Sequence, residues 1–144
     1  MRRTRALVSF LASLLLFLST SLHAAERDEA EKAAKEIMAL LGSQSYLTLW
    51  DTYASQFVKD KVTRDTFLTN MSAGRAPLGR LTETKLVDST LFDSDPGTGL
   101  KGRIYAFNFQ NTYPGGKFYE RIVVVMEADG RFRFTGFGYS PASK

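Results

Sequence analysis

The chain has 144 residues, 19 basic against 15 acidic, one histidine and no cysteine. That length suits a single domain held together by packing, and the lack of cysteine excludes disulfides, redox thiols and Cys-His catalysis. The one histidine, His23, lies in a segment read below as removable, which also excludes Ser-His-Asp chemistry and the usual zinc and copper ligand sets.

Arg2, Arg3 and Arg5 form a basic start, residues 6–18 are an almost unbroken apolar run, and Leu22-His23-Ala24-Ala25 is a small-residue end. This is the pattern of a signal peptide, with cleavage expected after Ala24 and Ala25 as the neighbouring position. The run is short for a bilayer span and a charged helix follows it, which argues against a retained membrane anchor. No cysteine follows it, so a lipoprotein anchor is excluded. The expected organisation is a signal peptide at 1–24 and one domain at 25–144, periplasmic or secreted. Three arginines leave with the signal, so the net charge falls from +4 to about +1, and no nucleic-acid partner is expected. Any general base must then be a carboxylate, a tyrosine or a lysine with a lowered pKa.

Residues 26–41 read as a first helix, with acids at its start, a stripe of Ala30, Ala33, Ala34, Ile37, Met38 and Leu41, and Gly42 as its stop. A second helix is predicted over 45–59, capped by Ser43 or Ser45, with Tyr46, Leu49, Trp50, Tyr53, Phe57 and Val58 on one face. Thr63 reads as the N-cap of a third helix that buries Phe67, Leu68 and Met71 and ends at Gly74. In the hinge that follows, Pro77 is expected to block the helix and bias Ala76 toward an extended backbone. Leu78 anchors the crossing, and Gly79 permits the turn into the sheet.

Strands are predicted over 80–91, 103–112, 118–127 and 131–139. The second places Tyr105, Phe107 and Phe109 on one face. The third is apolar on both parities through Ile122-Val123-Val124-Val125-Met126, as in a central strand covered on both sides. Asp93 to Gly99 is a turn-rich loop. Its two aspartates resemble the start of a calcium loop, but Gly97 stands fifth rather than sixth and Ile104 occupies the place of the last glutamate, so no metal or other cofactor is expected. Tyr113-Pro114-Gly115-Gly116 and Asp129-Gly130 mark hairpins. The latter puts either Val125 or Val124 opposite Phe134, according to whether the turn has two residues or three with a bulge. Gly136 and Gly138 predict a bend, a bulge or a close neighbouring backbone in the last strand. The fold class is α+β, three N-terminal helices packed on a curved four-stranded antiparallel sheet.

Four fragments carry a family resemblance: Tyr46 with Trp50, Arg75-Ala76-Pro77-Leu78-Gly79, Glu120 with its apolar run, and Asp129 through Phe137. In this order they resemble the bacterial exported domain-of-unknown-function family 4019, which implies a cystatin-like or nuclear-transport-factor-2-like (NTF2-like) fold and carries no activity with it. Phe132 and Phe137 stand where that family has Trp and Tyr, keeping a ring without its polar handle.

Three functional readings follow. The first, which the residues favour, is a non-catalytic exported module that binds a small apolar ligand or a protein partner. Trp50, Tyr53, Arg75, Tyr105 and Tyr119 are its candidate ligand-binding residues, against structural roles such as ring packing or, for Arg75, bonds to the free carbonyls of the helix end. The second is a cup-shaped lyase or isomerase using a tyrosine and one of Asp51, Glu83 or Glu120. The third is a homodimer through the sheet, whose far face must be covered by a second copy unless strong curvature covers it.

Overall fold

The helical half comes first in the computed structural model, which describes the backbone of residues 3–142 and the side chains of residues 22–142. Helices α1 (Arg3–Gly42), α2 (Tyr46–Tyr53), α3 (Gln56–Lys61) and α4 (Arg64–Arg75) lead through a 3-10 turn (Ala76–Leu78) into the strands. These are β1 (Glu83–Asp95), β2 (Leu100–Tyr113), β3 (Gly116–Met126) and β4 (Phe132–Pro141). Helix α1 outruns the predicted 26–41 because Gly42 is the first glycine of the chain and no proline precedes it. The expected cleavage point after Ala24 falls within this helix, and the side chains of residues 1–21 lie outside the described residues. Among the described residues no helix is long and apolar enough to cross a membrane.

Four helices replace the predicted three. The segment 45–59 breaks at Ala54–Ser55, where Ala54 forms a parallel bridge with Phe134 and the Ser55 N–H donates to the Phe134 carbonyl at 3.0 Å. The Ser55 hydroxyl then accepts from the Val58 N–H at 3.2 Å and caps α3. A serine placed to cap and a strand edge in need of a partner together outweigh the helical periodicity. Ser45 precedes α2 without capping it; its hydroxyl lies 2.9 Å from that of Ser43. Thr63 caps α4 as predicted, accepting from the Thr66 N–H at 3.2 Å.

The hinge also differs from its prediction. Helix α4 passes through Gly74 to Arg75, and Ala76 stays helical (φ −52°, ψ −42°) instead of extended. Pro77 sits in the first turn of the 3-10 segment, where a missing N–H costs nothing. The reversal is left to Gly79, whose φ is +75°; a Cβ there would also stand 3.3 Å from the Pro114 ring.

The sheet is an antiparallel meander in the order β1-β2-β3-β4. Val124 pairs with Phe134, so the Asp129-Gly130 hairpin takes the three-residue form, with Gly130 at φ +76° and the Glu127 N–H donating to the Arg131 carbonyl at 3.0 Å. A further bulge at Thr135 shifts the register between Val124 and Val123, next to Gly136. Strand β1 starts later and runs further than predicted, and it too changes register, after Leu86 and after Phe92.

The helices cover one face. Ala34, Ile37, Met38, Leu41 and Leu49 pack against Phe107, Phe109, Ile122, Val124 and Phe134. On the opposite face Ile104, Ala106 and Val125 are buried as well. Phe92 pairs with Ile104, the Arg121 guanidinium lies over its ring at 5.6 Å, and Asp95 and Thr98 share a cleft with Thr135, Gly136 and Gly138 of the last strand. Within one chain the second apolar parity of β3 is thus buried at Val125 and half-buried at Val123, beside the register shifts of the bulged sheet.

The left-handed conformation of Gly79 yields the first test. Gly79→Ala places a Cβ at positive φ and against Pro114, and is expected to cost about 1–2 kcal/mol in urea denaturation. Wild-type stability would contradict the assigned turn.

Candidate functional site

Arg75 ends α4 with its side chain turned inward, and Glu120 projects from the helix-facing side of β3, in step with Ile122 and Val124. They meet in the core, only 2% and 1% exposed. Arg75 Nη1 donates to Glu120 Oε1 at 2.5 Å, and Nη2 donates to the Tyr113 hydroxyl at 2.7 Å. That hydroxyl donates in turn to Glu120 Oε2, and Asn111 Nδ2 donates to the same oxygen at 2.5 Å. The guanidinium lies over two rings, with Cζ 5.9 Å from the centroid of Tyr113 and 5.6 Å from that of Phe137. Tyr46 is near enough to interact with both Arg75 and Glu120.

Alternation on β2 explains the convergence. Tyr105, Phe107, Phe109, Asn111 and Tyr113 share one face, so the polar end of that stripe lies beside Glu120, which pairs with Phe109. Electrostatics then fix the charge states. Burial works against the Arg75 cation, but the hydrogen bond and charge of Glu120 outweigh it and raise the Arg75 pKa above its usual value. Burial, reinforced by the bond to Glu120, raises the Tyr113 pKa well above 10, so the phenol holds its proton and donates it. An enzyme using a carboxylate and a tyrosine would find both in Glu120 and Tyr113. Here the carboxylate is paired with Arg75 and the phenol holds its proton.

The five residues singled out in the sequence do not form one site. Arg75 bonds side chains, not the helix-end carbonyls expected of it. Trp50 packs on Phe67 at 5.1 Å, with the Lys59 ammonium over its ring at 5.9 Å. Tyr53 donates to Glu36 and lines a cleft of 210 Å³ with Glu29, Lys32 and Arg131. Tyr105 is buried beside Phe107 and donates to Glu26 at 3.0 Å, where Arg103 also donates at 2.8 Å. Tyr119 stands on the far face, 43% exposed. Of the conceivable carboxylates, Asp51 and Glu83 lie exposed, whereas Glu120 is buried. Sequence reading does not pair Tyr113 and Tyr46 with Arg75, or Asn111 with Glu120; the shared parity of 105–113 is the signal that points to Asn111 and Tyr113.

Because the Tyr113 pKa is raised, its contribution is fully present below about pH 10 and is lost as pH climbs beyond that value. Tyr113→Phe is expected to cost about 1.5–3 kcal/mol at neutral pH, as for hydrogen bonds to charged groups, and to flatten the alkaline fall in stability. Denaturation at pH 7 and at pH 11 checks both; an unchanged alkaline slope would contradict the assignment.

Comparison with known proteins bears on the family alone. No curated protein and no solved structure matches the chain. Residues 33–137, well over half of the chain, match the family described as protein of unknown function (DUF4019), and the matched span takes in Tyr46, Arg75, Asn111, Tyr113, Glu120 and Phe137. A buried Arg75–Glu120 cluster joining a helical layer to an antiparallel sheet is thus the interior of a DUF4019 domain, and the chain belongs to that family.

Proposed function

We propose that the chain is an exported, non-catalytic binding domain of cystatin-like or NTF2-like arrangement, periplasmic or secreted. One observation carries the non-catalytic part. In a domain left without histidine or cysteine, the strongest acid–base candidates, Glu120, Tyr113 and Arg75, are consumed by one another inside the core. Recognition is left to the surface clefts, whose linings draw on aromatic rings and uncommitted charges. A long N-terminal helix and helices lying on one face of a curled four-stranded meander support the fold assignment.

Export is supported by the leader pattern and by the placement of Glu26. Residues 22–25 are exposed, and Glu26 is tied to β2 through Arg103 and Tyr105. A cut after Ala24 would fall just ahead of that anchor. Burial opposes ionisation of Glu26, but the bonds from Arg103 and Tyr105 prevail and lower its pKa.

Expression of the full chain in a bacterial host, followed by intact and native mass spectrometry of the periplasmic and medium fractions, tests the reading. The expected result is a polypeptide starting at Ala25 that carries a retained ligand or a crosslinkable partner. A chain keeping residues 1–24 in the membrane fraction would contradict export. A mature chain of bare mass with no crosslinked partner would contradict binding.

A further inference from the structure

Strand β4 is an edge strand, and its inner half is already occupied. Ala54 bridges Phe134, and after Ser55 the chain turns away into α3. Beyond Phe134 no further strand covers the edge among the described residues. The Ala142 N–H donates inward to the Lys117 carbonyl at 2.9 Å, and inward and outward groups alternate along an antiparallel strand. Counting back from it, Phe137 and Tyr139 turn their N–H and C=O groups outward, and Pro141 has no N–H to offer. This open stretch, residues 135–140, contains no lysine, glutamate or proline of the kind that blunts an edge.

A cleft flanks the open stretch on each face. Toward the helices, 310 Å³ is lined by Phe57, Val58, Val62, Phe67 and Met71, with Lys61 as its one charge. On the other face, 280 Å³ is lined by Arg121, Val123, Asp95 and Thr98. Both clefts share Phe57, Thr135, Gly136 and Phe137. The Asp95 carboxylate accepts from the Gly97 N–H and the Thr98 hydroxyl of its own turn, each at 2.9 Å. Lys61 and Arg121 lie over Phe57 and Phe92 and have no carboxylate partner among the described residues.

We propose that the outer half of the β4 edge accepts an extended peptide from a partner protein, which adds as a fifth strand. Its apolar side chains enter the α3–α4 cleft and its acidic side chains face Arg121. This rests on the reading of the chain as a binding domain and names the partner's chemistry. Main-chain hydrogen bonds to Phe137 and Tyr139 supply attachment, and alternate side chains of the added strand reach the two clefts in turn. Charge decides against a second copy as occupant. Pairing two β4 edges about a two-fold axis would bring the Lys61 and Arg121 of both chains together, and residues 131–141 offer Arg131 and Arg133 but no carboxylate in return.

Residue-resolved hydrogen exchange on the mature chain, with a blocked peptide alternating valine and glutamate, tests this against a valine–lysine control. At about ten times the Kd of the acidic peptide, the Phe137 and Tyr139 amides are expected to exchange about tenfold more slowly, with little effect from the control. Lys61→Glu combined with Arg121→Glu, both at exposed positions, is expected to reverse the preference between the two peptides. No slowing at either amide up to about 1 mM peptide would overturn the proposal, as would equal slowing by both peptides. Protection that grows with protein concentration alone would also overturn it, in favour of a second copy. A ligand retained in native mass spectrometry alongside a negative exchange result would sink the edge site and leave the binding domain standing.

Discussion

Arg75 and Glu120 sit 2.5 Å apart in an interior where neither charge could stand alone. Moving an ion out of water costs several kcal/mol even after relaxation, and attraction repays it only when the remaining hydrogen-bonding groups are met as well. Tyr113 and Asn111 do that here, donating to the carboxylate oxygen that Arg75 leaves free. Apolar residues of the same size could pack as stably. What the pair adds is position: a one-residue slip of β3 would carry Glu120 to the other face and leave Arg75 buried without a counter-charge. The end of α4, the 3-10 turn and the β2–β3 hairpin are thereby held in one arrangement.

Around that tie, the sheet solves the problem posed by a central strand that is apolar on both parities. One parity goes to the helices. The other is covered in part within the chain, where register changes in β1 and a bulge at Thr135 bring the β1–β2 turn and β4 to one cleft. As the last strand of the meander, β4 stays unpaired beyond Phe134 among the described residues and is bordered by clefts.

Much of the fold was legible because periodicity reports burial directly. The α1 stripe, the Thr63 cap, the Tyr105–Phe107–Phe109 face and the glycine-associated bulge of β4 all follow from local spacing. What failed was set from a distance. Ala54–Ser55 breaks its helix because β4 lies alongside, and Ala76 stays helical because the 3-10 turn docks by way of Gly79 against Pro114. The hairpin register was undetermined for a physical reason: with both parities of β3 apolar, hydrophobic burial does not distinguish Val124 from Val125 opposite Phe134. The cluster was legible only in pieces. Tyr46, Arg75, Glu120 and Phe137 each belong to a different family-like fragment, and all four come together around one guanidinium. A carboxylate on the buried parity of a central strand demands a cation, and the arginine of the hinge was the available partner.

A double-mutant cycle between Arg75 and Glu120, followed by urea denaturation, tests most directly whether this pair organises the domain. With Arg75→Met and Glu120→Leu, each single change strands a buried charge and is predicted to cost about 3–5 kcal/mol. The double variant should lose much less than the sum, leaving a coupling of at least about 2 kcal/mol. Additive losses of under about 1 kcal/mol each, in the range of exposed ion pairs, would contradict the account.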